Sequence, residues 1–330
     1  MLVSLIIVIM SWIPALNRDA DHRFAVSQLS TPAVSTTRPS LSTPKPKPQP
    51  LSLASFASTA ARARDTMASQ GREKNLSVLE QHLTPALFQR LREFWFEHLE
   101  HEDDFFIPKQ GHASRWFMGG KELDDICVER FAPALEAIRE SGATTGEDIL
   151  SVVQPREPLD WLSVILLLDQ IPRNCYRGTE SHIVFNFFDP MAQQVALAAM
   201  EQGIPAQAPE TRWHFAYRNW FYIPLMHSES AAGHEKCVDG FALIAEDVEG
   251  LAEGPGAPDA DPLERRAREV VQRDAEAARG MAATYVGFEK KHQVIIERFG
   301  RYPHRNKALG REPTAAETEY LENGGETFGG

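Results

Sequence analysis

An all-α fold, built as a stack of antiparallel helical hairpins, is what this chain predicts from residue 76 onward, and three observations carry it. Apolar residues recur at helical spacing in one segment after another. Helix-start and helix-stop residues stand at the ends of those segments. No run of alternating apolar residues is long enough to make a sheet; only Val184–Phe188 reads as a short extended piece. Short connections make neighbouring helices antiparallel. No strict repeat of about 34 or 40 residues is present, so any repeat is degenerate.

Thr84-Pro85 reads as an N-cap followed by proline at the first helical position, opening a helix with Leu87, Leu91, Phe94, Trp95 and Leu99 on one side. Trp116-Phe117-Met118 falls in a loop that the Gly119-Gly120 break ends. A second helix over about 121–140 buries Leu123, Ile126, Phe131, Leu135 and Ile138, and a short one follows near 145–153. Pro158 opens the very hydrophobic helix 158–171, which Pro172 stops. Asp189-Pro190 caps the next helix and Gly203 closes it. Helices follow at about 209–226 and 229–247, the second capped by Ser228 with Glu229 in its first turn. Residues 250–262, rich in Gly and Pro, read as a flexible insertion. A charged helix runs from about 263 to Arg298 with a break at Gly280. Thr314-Ala-Ala-Glu317 is a capping box for a short last helix ending before Gly324-Gly325. The domain is therefore expected to be one body over 76–330.

Ahead of it, residues 1–16 are nearly all apolar but shorter than the roughly 20 residues that a spanning helix needs, and they lack a basic leader. A membrane role would require this run to be an anchor. The Ser/Thr/Pro-rich extension to residue 75 reads as disordered. Its acid-free 54–64 has the look of an organellar presequence, with Met67 an internal start.

Hydrophobic content of 43% and charged content of 24% are those of a globular protein. The net charge of −12 is unevenly spread. Residues 1–75 hold nine Lys/Arg against four Asp/Glu, and the remainder holds 25 against 42, a net of −17. So acidic a body disfavours nucleic acid as a partner. Three cysteines, 127, 175 and 237, make neither a disulfide framework nor a C-x-x-C pair, so a reducing compartment, the cytoplasm, is the simpler inference. The N-terminus leaves a mitochondrial or membrane-anchored location as the alternative.

Three polar stretches stand where apolar helices stop, and they are expected to meet in space. They are Asp169-Gln170-Ile171-Pro172-Arg173-Asn174 with Arg177, His227-Ser228-Glu229, and Arg301-Tyr302-Pro303-His304-Arg305-Asn306. Arg173, Arg177, Arg301 and Arg305 offer forked donors to an anion, with Asn174, His304 and Asn306 beside them. His227 is the general acid/base candidate, with Asp169 or Glu229 to orient it. The bland alternative is a helix end whose carbonyls are bonded by Arg and Asn side chains. His227 and His234 are seven apart, which is not the H-E-x-x-H spacing of a zinc hydrolase, so no metal is assigned. No glycine-rich phosphate loop and no G-x-S-x-G elbow occur, and the chain names no cofactor. Trp95, Trp116, Phe117, Trp161, Trp213, Trp220 and Phe221 read as core.

These stretches, together with Phe94-Trp95-Phe96, Arg115-Trp116-Phe117, Tyr176-Arg177-Gly178-Thr179, Pro224-Leu225 and Leu309-Gly310-Arg311-Glu312, resemble the domain-of-unknown-function 924 proteins of bacteria and fungi. The resemblance runs in order from about 90 to 322. It implies a TPR-like helical stack and names no reaction. Three readings follow. The first is a helical-repeat module binding a small anionic ligand or an acidic peptide, the second an enzyme on a small anionic substrate with His227 as acid/base, and the third a purely structural scaffold.

Overall fold

The computed structural model describes residues 75–328. The apolar run 1–16, the Ser/Thr/Pro-rich extension, the segment 54–64 and Met67 lie outside these described residues. Within them the fold is all-α, and no strand occurs. Ten helices of eight or more residues carry it. They are α1 (Pro85–Phe96), α2 (Gln110–Met118), α3 (Lys121–Glu140), α4 (Gly146–Val153), α5 (Pro158–Cys175), α6 (Asp189–Glu201), α7 (Ala231–Ala252), α8 (Pro262–Arg273), α9 (Ala275–Phe299) and α10 (Ala315–Glu322). None is long and apolar enough to cross a membrane.

Helix α5 is the axis. Every residue from Trp161 to Pro172 is buried, because α1, α3 and α6 pack around it. Each of its leucines contributes about 1.5–3 kcal/mol by leaving water. Helix α1 runs antiparallel to it: Arg92 Nη1 donates to Ser163 Oγ at 2.6 Å and to Leu159 O at 3.2 Å, while Phe88 faces Ser163. A second antiparallel pair is α7 with α9, where His234 meets Glu289, the Phe241 ring meets Tyr285 at 5.6 Å, and Glu249 meets Arg279 at 2.7 Å.

Local signals held where they rest on a few adjacent residues. The Thr84 hydroxyl accepts from Leu87 N at 3.2 Å, and Thr314 and Glu317 form the reciprocal box. Six of the seven named aromatics are core, whereas Phe117 is 59% exposed and lies against the Trp220 ring at 5.7 Å.

Other expectations are overturned. Trp116-Phe117-Met118 is not loop but the end of α2. Val184–Phe188 is not extended but a π-helical turn leading straight into α6. Pro172 does not stop α5, which continues to Cys175. Proline removes one amide, but Arg173 donates to the Asp169 carbonyl and Asn174 Nδ2 to the Gln170 carbonyl at 3.0 Å, bracing the last turn. The segment 209–226 is not one helix but four short pieces, Pro209–Arg212, Phe215–Arg218, Asn219–Phe221 and Ile223–Met226. Ser230 rather than Ser228 caps α7. Gly280 lies inside a continuous α9, and the break falls at Asp274, whose side chain caps α9. The loop after α7 is tied down by Gln272 Nε2, which donates to Gly254 O at 3.1 Å, and by Asp261, which accepts from Trp213 Nε1 at 3.0 Å.

Two helical glycines separate packing from propensity. A Cβ at Gly240 would stand 2.4 Å from the Tyr222 ring, whereas one at Gly280 meets nothing within 4 Å. Gly240→Ala is expected to lose about 1–3 kcal/mol in urea unfolding through overpacking. Gly280→Ala is expected to gain up to about 1 kcal/mol. Equal effects at the two positions would contradict the α7 packing described.

Candidate functional site

Four segments deliver the polar side chains to one place. They are the last turns of α5, the first residue of α6, the turn 227–229 before α7, and the loop 301–306 after α9. The helix α9 stops at Gly300 in the left-handed region, φ 67°, which turns the chain back toward α7.

Arg173 lies between two buried carboxylates, 3.6 Å from Asp169 Oδ1 and 2.8 Å from Asp189 Oδ1. Arg305 approaches Asp189 from the other side at 3.4 Å, its guanidinium over the rings of Phe185 (4.4 Å) and Tyr302 (4.6 Å). Asp169 also accepts from Gln170 Nε2 at 2.5 Å and lies 2.9 Å from His227 Nδ1. Burial alone would raise the Asp169 pKa, but Arg173, His227 and Gln170 hold it down to about 2. Asp169 is therefore ionised and can only accept, so Nδ1 of His227 carries the proton. Burial, and then the Arg173 charge, push the His227 pKa below its ordinary value, more than Asp169 restores it. At neutral pH His227 is an uncharged imidazole with its lone pair on Nε2. Nε2 has no hydrogen-bond partner among the described residues, and the side chain is 16% exposed.

The other expected residues are placed differently. Glu229 does not orient His227: it accepts from Tyr302 N at 2.9 Å and from both terminal nitrogens of Arg311, at 2.6 and 3.0 Å. That clamp holds the 301–306 loop against the start of α7. Arg177 points away to Asp124, making bonds of 3.1 and 2.8 Å. Arg301 is paired with Glu317 at 2.6 and 2.7 Å, fastening α10. Asn174 serves the end of α5, and Asn306 is buried near Glu317. His304 lies against the Tyr302 ring at 5.4 Å, with its pKa pushed down to about 4 by burial. His234 is fully buried, 2.6 Å from Glu289 and 3.0 Å from the Ser228 carbonyl. Among the described residues no cluster of His, Cys, Asp or Glu is suited to a metal.

Sequence reasoning took Asp189 for a helix cap, whereas its carboxylate faces Arg173 and Arg305. It also passed over Tyr302 and Arg311, although both stand inside motifs it quoted. The usable signal was charge balance: two arginines drawn into one cluster need more than Asp169 alone.

A family model described as a bacterial protein of unknown function (DUF924) matches residues 91–325, a span that contains every residue of this network. The chain belongs to the DUF924 family. A solved structure of a protein of unknown function from Agrobacterium tumefaciens is 27% identical, covering 67% of this chain and 94% of that one, with a TM-score of 0.43. A search of curated proteins finds no match.

The site of this DUF924 protein makes its stability depend on pH. His227 is depressed, His304 to about 4 and His292 to about 3, so each stays neutral in the fold while its unfolded counterpart takes up a proton below about pH 6.5. Stability is therefore fully present above pH 6.5 and falls as pH drops toward 4. Asp169 adds a second loss below pH 4, as its folded pKa near 2 is approached. Urea midpoints at pH 7 and pH 5 are expected to differ, with the lower one at pH 5; equal midpoints would refute the neutral buried histidines. At pH 7, Asp169→Asn leaves Arg173 short of one partner and is expected to cost about 3–5 kcal/mol.

Proposed function

We propose that the Asp169–His227 pair is an acid–base centre and that this protein is an enzyme acting on a small ligand bearing an acidic N–H or O–H. The observation that carries this reading is the contrast between the two nitrogens of His227. Nδ1 is locked on an ionised, buried carboxylate, and Nε2 is left without a partner among the described residues. A neutral, oriented imidazole can take a proton at Nε2, and Asp169 then stabilises the imidazolium that forms. Arg173, 18% exposed beside it, favours negative charge on the ligand as the proton leaves.

One observation favours the scaffold reading instead. Arg173, Arg177, Arg301 and Arg305 all face carboxylates already, so none is a free clamp for an anion or an acidic peptide. A small-anion or acidic-peptide module would have to displace one of these pairs. On the enzyme reading the arginines hold the frame, and His227 does the chemistry.

A thermal-shift screen of small metabolites against the wild type and His227→Gln separates the two. Binding at a hundred times the dissociation constant adds about 2.7 kcal/mol. The enzyme reading expects His227→Gln to melt near the wild type while losing the response to at least one compound that the wild type turns over. If His227→Gln melts as early as Asp169→Asn and no compound distinguishes it from wild type, the network is structural.

A further inference from the structure

Beyond α10 the chain reverses at Gly324, φ 77°, and the strap 324–328 lays Phe328 onto the face of His292. The two rings are stacked, with centroids 3.5 Å apart and planes 20° apart. Tyr302 and His304 stand edge-on to Phe328, at 6.3 and 6.2 Å and both at 80°. A flat ring thus lies on one imidazole between two upright aromatic walls.

The imidazole beneath the ring and one of the two walls are anchored independently of the strap. His292 Nδ1 bonds the Phe288 carbonyl at 2.8 Å within α9. Tyr302 donates its hydroxyl to Met226 O at 2.6 Å and its amide to Glu229 at 2.9 Å. The slot adjoins the acid–base pair: Tyr302 carries the Arg305 guanidinium on its face, and its hydroxyl bonds the carbonyl of Met226, the residue before His227.

The strap itself is lightly held. Glu326 meets Lys291 at 2.6 Å, but both side chains are exposed, and such pairs contribute little. The Tyr320 hydroxyl adds one bond to Glu326 O at 3.2 Å. Phe328 also serves the slot poorly. The Phe328 main chain reaches one nitrogen of the buried His304 ring, which leaves the other nitrogen of that ring and Nε2 of His292 without a partner among the described residues. A phenyl ring can satisfy none of these, whereas a ring with N–H or O–H groups can.

We propose that the slot formed by His292, Tyr302 and His304 is the ring-binding part of the His227 site. It takes a flat aromatic or heteroaromatic ring carrying a hydrogen-bond donor, and Phe328 is an internal plug that must withdraw to admit it. The proposal rests on the acid–base reading of His227 and names the substrate class for it.

Indole is the test ligand and cyclohexanol its non-aromatic control. Binding to the full chain, Phe328→Ala and Phe328→Trp is followed by titrating histidine-ring NMR signals. Phe328→Ala is expected to bind indole at least tenfold more tightly than the full chain, shifting the His292 and His304 signals. Phe328→Trp, which keeps a ring in the slot, is expected to stay closed, and cyclohexanol to bind none of the three. Folding of each variant is read from its melting curve and from an unchanged His234 signal. A folded Phe328→Ala that binds indole no better than the full chain overturns the proposal, as does equal binding of cyclohexanol. The two readings fail separately. Indole binding that persists in Phe328→Ala/His227→Gln, with no turnover by any variant, keeps the slot and removes the acid–base centre. Turnover dependent on His227, with indole indifferent to Phe328, keeps the centre and removes the slot.

Discussion

The structure depends on one buried guanidinium. Arg173 is held between Asp169 at the end of α5 and Asp189 at the start of α6, in a region from which water is largely removed. A charge taken out of water costs several kcal/mol unless partners replace its hydration. The requirement runs both ways: two buried carboxylates need more positive charge than Arg173 alone, and Arg305 from the loop after α9 provides it. Four segments distant in the chain are thereby required to meet at one point. The π-helical turn Val184–Phe188 belongs to the same arrangement, since it leads directly into Asp189 and provides the Phe185 face on which Arg305 rests.

The same charges set the chemistry of His227. Desolvation and the nearby Arg173 disfavour its protonated form, while Asp169 fixes which nitrogen carries the proton. An imidazole that is neutral, oriented and partly open follows from a network whose first role is mechanical. The Glu229–Arg311 clamp extends that network to Tyr302, and Tyr302 in turn walls the slot that Phe328 fills. Fold, acid–base group and slot therefore share residues, so changes in this region couple stability to site geometry.

Legibility varied with the range of the interaction involved. Thr84 and Thr314 cap helices through contacts reaching three residues, and such contacts are written in the local sequence. The apolar stripes of α1 and α3 and the wholly buried α5 were equally plain, because helical period and continuous hydrophobicity survive any tertiary arrangement. Pro172 was misread because a proline's local cost was offset by Arg173 and Asn174 bonding the preceding carbonyls. Ser228 and Ser230 are equivalent cap candidates by type, and only the packing of His234 against Ser228 O and Glu289 selects the second. Within the site, the Asp169–Arg173 pair and the orienting role of Asp169 were legible from spacing and chemistry. Asp189 was not, since an aspartate before a proline has an adequate local explanation.

By itself the sequence determined that the chain from residue 76 is helical, where several of its helices begin, and which three polar stretches stand near helix ends. It carried the motifs that place the chain in the DUF924 family. The tertiary structure alone decided which charges oppose which. It turned Arg177 to Asp124 and Arg301 to the buried Glu317, drew Arg305 inward to Asp189, and left Nε2 of His227 without a partner among the described residues. The physical reason is that caps and periodicity act over one or two turns of helix. Charge pairing in a desolvated interior is instead settled by residues tens to over a hundred positions apart, once burial makes an unpaired charge intolerable.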